Sequence, residues 1–100
     1  MKRRMLSFEQ YLMYVYRQSN GKSLEPDYVT DILCYCRRTG KLLLMGENGL
    51  FKISSPNKAN SYREAVKYAC TNKYKSPTHA LRSYNYYCEF LEYQKSAAWY

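Results

Sequence analysis

One histidine, His79, is all the imidazole this 100-residue chain contains, and there are only eight acidic residues to go with it. That scarcity removes the usual routes to catalysis. No Ser-His-Asp arrangement can be built, and no two carboxylates stand at a spacing that would set them in one cleft. His79 itself falls in the first turn of a predicted helix, so it reads as an exposed or capping residue. Glycine is sparse too, at four residues, all at turn positions, so no glycine-rich phosphate loop exists. Long apolar runs are missing: nothing approaches the roughly 20 residues of a membrane span. The opening MKRRMLSFEQ is basic, but Glu9 and Gln10 interrupt it before a signal-peptide apolar segment can form. The expectation is a cytoplasmic, non-enzymatic protein that contacts no membrane and needs no cofactor.

Cysteine is present four times without metal-ligand spacing. Structural zinc sites recruit pairs two to four residues apart on turns. The only close pair here, Cys34 and Cys36, lies in a predicted helix, where positions two apart point in different directions. Cys36 and Cys88 fall on core stripes, and Cys70 on an inward face, as small buried hydrophobes do. In a cytoplasmic protein these are reduced thiols rather than disulfides or ligands.

What the chain has in abundance is tyrosine and positive charge. Thirteen tyrosines stand against three phenylalanines and one tryptophan, and each offers a large apolar ring with a polar tip. The net charge is +8, and it is concentrated. Between Ile32 and Arg82 lie Arg37, Arg38, Lys41, Lys52, Lys58, Arg63, Lys67, Lys73, Lys75 and Arg82, opposed only by Glu47 and Glu64; the remaining sequence is neutral. A polyanion is the partner such a balance implies, nucleic acid first.

The patterning predicts a single α+β domain over residues 1–100, ordered helix–helix–β-hairpin–helix–helix, with residues 1–6 as a basic flexible tail. Ser7 and Gln10 form a capping box for a first helix running to about Arg17, with Phe8, Tyr11, Leu12 and Val15 on one face. Pro26 opens a second helix with Val29, Ile32, Leu33 and Cys36 inward, and Gly40 is read as its stop. In KLLLMGENGLFKIS the Asn48-Gly49 pair predicts a two-residue hairpin turn that sets Leu42, Leu44, Phe51 and Ile53 on the core face. Residues 54–60 read as a linker. Ser61 and Glu64 then cap a third helix with Tyr62, Ala65, Val66, Ala69 and Cys70 inward. Ser76-Pro77 starts a fourth, whose main apolar face is Leu81, Tyr84, Tyr87, Cys88 and Leu91. Tyr86, Phe90 and Tyr93 form a second stripe on that helix, and a helix apolar on two sides is either enclosed or meets a partner.

Two binding readings follow. In the first, the chain is a small DNA-binding regulator, with DNA placed ahead of RNA, of bacterial or mobile-element type. Arg37, Arg38, Lys41, Lys52, Arg63, Lys67, Lys73, Lys75 and Arg82 contact phosphates, which supply most non-specific affinity. A helix followed by a basic hairpin has the outline of a winged helix. Against that outline, a helix is missing before the wing, and Asp27 and Asp31 occupy the half of the second helix that would read bases. In the second reading the chain is a protein-binding inhibitor, or a homodimer, that uses Tyr86, Phe90 and Tyr93 as its seam. A basic protein cannot imitate DNA, so such an inhibitor, or anti-host or anti-defence factor of a phage or mobile element, would dock on an acidic protein surface or on bound nucleic acid.

Overall fold

The computed structural model describes residues 7–97, and over that range the chain is helical, without a strand among the described residues. Helix α1 (Phe8–Gln10) runs directly into a π-turn (Tyr11–Val15). Helix α2 (Pro26–Leu42) follows, then a 3-10 turn (Leu50–Lys52) and the short helix α3 (Pro56–Ser61). Helices α4 (Arg63–Lys73) and α5 (Thr78–Ala97) complete the order. The predicted basic tail, residues 1–6, lies outside the described residues. No described helix is long and apolar enough to cross a membrane.

Ser7 starts α1 as its sequence predicts. Its hydroxyl accepts from the Gln10 N–H at 3.1 Å, and the Gln10 side chain accepts from the Ser7 N–H at 2.9 Å. The helix then widens: Tyr16 N–H reaches back five residues to the Tyr11 carbonyl at 2.8 Å. Phe8, Tyr11 and Leu12 are all buried by it.

Helix α2 begins at Pro26 and buries Val29, Ile32, Cys36, Thr39 and Gly40. Its most extensive packing is with α5, which carries Tyr84, Tyr87, Cys88, Phe90 and Leu91 into the core. The expected stop at Gly40 is corrected here, because the helix continues for two more residues. Glycine is needed at 40 for clearance: a Cβ there would sit 2.5 Å from the Gly46 carbonyl oxygen of the loop folded over it. The helix ends instead in a Schellman motif. Met45 N–H bonds the Gly40 carbonyl at 2.9 Å, and Leu44 N–H bonds the Lys41 carbonyl at 3.0 Å. The left-handed position of that motif, normally glycine, is Leu44 with φ 61°.

The predicted hairpin is overturned, and with it the α+β class: the described chain is all-helical. Asn48-Gly49 does not make the turn, since Gly49 is right-handed (φ −61°) and caps the 3-10 turn. Its missing Cβ has a different use, because one would collide with the Met45 carbonyl. Leu50 and Ile53 are buried, while Leu44, expected on the core face, is 95% exposed. A two-stranded ribbon is marginal in water. Extending α2 satisfies Lys41 and Leu42 within a helix already formed, and the 3-10 turn packs on that helix with Leu50 buried.

The linker expected at 54–60 is mostly α3, capped by the Ser55 side chain. The Ser61/Glu64 capping box does not form, since α3 runs almost straight into α4 through Tyr62. The Ser61 hydroxyl instead donates to the Lys58 carbonyl at 2.6 Å. Val66 and Cys70 are the buried residues of α4, and Ala65 is exposed. Two tyrosines tie the connecting segments to α5: Tyr84 Oη donates to the Ala59 carbonyl at 2.6 Å, and Tyr87 Oη to the Ile53 carbonyl at 2.7 Å.

Candidate nucleic-acid interface

All nine cations singled out by sequence are exposed. Arg37, Arg38 and Lys41 are exposed on the last turns of α2, Arg37 and Arg38 about 100° apart around it, and Asp27 and Asp31 are exposed on its first half. Among the described residues one ion pair forms, Lys41–Glu47 at 3.1 Å, with both side chains 60% exposed. Such a pair contributes little and is screened by salt, so it leaves Lys41 available.

The fold does not assemble these cations into one patch. Arg38 leans toward the turn between α4 and α5. Its guanidinium lies 5.6 Å from the ring centre of Tyr35. Tyr35 meets the Tyr74 ring edge-on at 6.0 Å and stacks near-parallel on His79 at 6.2 Å. Burial raises the Tyr74 hydroxyl pKa, and the Arg38 charge and hydrogen bond oppose that rise. Lys73 and Lys75 flank Tyr74 in sequence, and Lys73 lines an open face with Leu42, Leu43 and Ala69.

Arg37 turns the other way, into an open groove beside Phe51, Phe90 and Gln94. Lys52 sits on the 3-10 turn. Arg63 is engaged within the fold: its Nε donates to Asn60 Oδ1 at 2.8 Å and an Nη donates to Asn85 Oδ1. It thereby pins the start of α4 to α5, with Lys67 in the same shallow groove. Arg82 falls on the outward face of α5, which Glu89 shares at a spacing of seven.

The aromatic stripe of α5 is covered by the chain itself. Phe90 is 5% exposed, with its ring 5.3 Å from those of Phe8 and Tyr11. Tyr93 packs on Tyr11 at 5.1 Å, and Tyr86 on Tyr16 at 5.1 Å. Helix α1 and its π-turn occupy the seam.

Cys36, Cys70 and Cys88 are buried and Cys34 is half-buried, all as free thiols. Burial pushes the Cys36 thiol up to about 12, so it stays protonated. Among the described residues no three His, Cys, Asp or Glu side chains converge to hold a metal ion. The sequence reading missed the Tyr35–Tyr74–His79 group. Its one local signal was the spacing of Tyr35 and Arg38, three apart on a helix face.

No protein-family model, no curated protein and no solved structure matches the chain.

Proposed function

We propose that this protein is a small, non-enzymatic DNA-binding regulator that holds the phosphate backbone through its exposed cations. The observation that carries the reading is the concentration of charge: ten basic against two acidic residues between Ile32 and Arg82. The nine candidates are exposed, and only Lys41 is in an ion pair among the described residues. The end of the molecule bearing Arg38, Lys73 and Lys75, with Tyr74 between them, is the part that best suits a phosphate chain. Lysine and arginine supply charge there, and a tyrosine hydroxyl or ring adds a directed contact. The winged-helix outline is withdrawn, because no hairpin stands where the wing was expected. Asp27 and Asp31, exposed on the first half of α2, also make that helix a poor reader of bases, so the binding proposed is to backbone and not to sequence.

Fluorescence anisotropy with labelled duplex across a salt series tests this. The logarithm of affinity should fall linearly with the logarithm of salt, by about 0.9 for each phosphate neutralised. Lys73→Glu with Lys75→Glu should weaken binding and flatten that slope. Absence of binding to duplex and to single strand at low salt would overturn the proposal.

A further inference from the structure

Where the first half of α2 meets the start of α5, the two helices enclose a small cavity of about 170 Å³. Tyr28, Asp31, Ile32 and Tyr35 line it from one face of α2, and His79 and Ser83, one turn apart, line it from α5. Ile32 is 1% exposed and closes the inner end, while Asp31 is exposed. Both tyrosine walls are braced from behind: the Tyr28 ring meets Tyr86 edge-on at 6.2 Å, and Tyr35 meets Tyr74 edge-on at 6.0 Å. The Tyr35 and His79 rings lie within 19° of parallel, with their centres 6.2 Å apart. Ser83, His79 and Asp31 share the cavity without forming a nucleophile relay, because the Ser83 hydroxyl donates to the His79 carbonyl at 2.8 Å. The phosphate contacts proposed above use none of these six residues.

We propose that this cavity binds an alkylammonium group, held by the faces of Tyr28 and Tyr35 and paired with the Asp31 carboxylate. Aromatic faces carry negative potential, and rings set around a carboxylate favour a soft organic cation. The surrounding charge has the complementary sign. From Lys22 to Arg37 the chain carries Glu25, Asp27 and Asp31 and no basic residue between, on a molecule of net charge +8. No lysine or arginine lines the cavity among the described residues, and Arg38 approaches the Tyr35 ring at 5.6 Å without joining the lining. An anion would meet the Asp31 carboxylate. A metal ion would lack donors, since among the described residues no three His, Cys, Asp or Glu side chains converge. Sites for drug-sized ligands run to roughly 300–1,000 Å³, so a cavity this small takes a headgroup and not a larger molecule.

Amide NMR of the full chain, following Tyr28, Tyr35 and His79, tests this with choline as the probe. The control is the neutral alcohol in which carbon replaces the choline nitrogen, equal in shape and lacking only the charge. Choline should shift these amides and bind about tenfold or more tighter than the neutral alcohol. Asp31→Asn and Tyr35→Leu should each weaken choline about threefold or more. Asp31 is exposed and makes no hydrogen bond that supports the fold, so its variant reports on the site even where Tyr35→Leu loosens the packing. The amide of acetylated trimethyllysine separates the two sources of such a group. Tighter binding than choline assigns the site to a side chain of a partner protein, and weaker binding assigns it to a free small amine. Equal response to choline and the neutral alcohol overturns the proposal, as does a choline affinity unchanged by Asp31→Asn.

Discussion

Tyr84 Oη donates to the Ala59 carbonyl at 2.6 Å, and both residues are buried. The bond joins the longest helix to the only helix the sequence read as a linker. Removing the hydroxyl leaves that carbonyl with only the Tyr62 N–H, at 3.2 Å, as its donor. Tyr84→Phe should therefore cost about 0.5–1.5 kcal/mol, the usual net contribution of one intramolecular hydrogen bond. Urea unfolding should show a lower midpoint with an unchanged slope. An unchanged midpoint would mean that the α3 segment is not held by this bond.

Leu44 offers the opposite experiment. Glycine fits the left-handed position of a Schellman motif without the steric cost a leucine bears there, on the order of 1–2 kcal/mol. Part of that gain is lost to the greater freedom of glycine in the unfolded chain. Leu44→Gly should be net stabilising by up to about 1 kcal/mol, raising Tm by about 4–8 °C for each kcal/mol gained in a domain of this size. A lower Tm would show that Leu44 is supported by contacts within the fold.

Phe90 decides between core and seam. Its ring meets Phe8, Tyr11 and Tyr87 at 5.3, 5.3 and 5.9 Å. Phe90→Ala should destabilise by about 3–5 kcal/mol, as for other buried aromatics. A polar substitution such as Phe90→Asp should prevent stable folding, since it buries an unpaired carboxylate. If Phe90→Asp folds with wild-type stability by urea unfolding, α1 does not cover the stripe.

Much of this was legible in the sequence where one local pattern had one outcome. The Ser7/Gln10 box, the Pro26 start and the inward faces of α2 and α5 follow from capping and period alone. The two misread turns share a cause, which is that glycine serves two purposes. Gly40 and Gly49 read as turn residues, yet both are right-handed and present because the loop crosses close to them. Clearance of that kind depends on residues distant in space, and no window of sequence displays it. The residue that does adopt positive φ at the end of α2 is Leu44, which no turn rule would select. The α5 stripe was visible, but its cover was not. Two apolar faces on a helix look the same whether the second meets a partner or the protein's own first helix. The basic stretch was legible as composition, whereas its division between the two sides of α2 appears only with the neighbours in place.

Buried tyrosine makes the stability depend on alkaline pH. Burial raises Tyr11 from an ordinary value near 10 to about 12, helped by the Glu89 carboxylate. Burial likewise raises Tyr87 to about 12, with Cys36 and Cys88 adding to the effect. Tyr84 and Tyr86 move in the same direction, again chiefly through burial. Below the unfolded pKa these hydroxyls are neutral in both states, so their contribution is fully present. As pH rises past about 10 the unfolded chain releases their protons while the folded one retains them. The unfolded state is thereby favoured, and stability should fall steadily until the folded hydroxyls ionise near 12. Urea midpoints measured from neutral pH into this window should decline, and less steeply in Tyr87→Phe, which has one such proton fewer. Tyrosinate absorbance provides the direct reading: a set of tyrosines should ionise only above the range of the exposed ones, and late enough to coincide with unfolding. Titration of all the tyrosines together near 10 in the folded protein would show that their hydroxyls are not withdrawn from water.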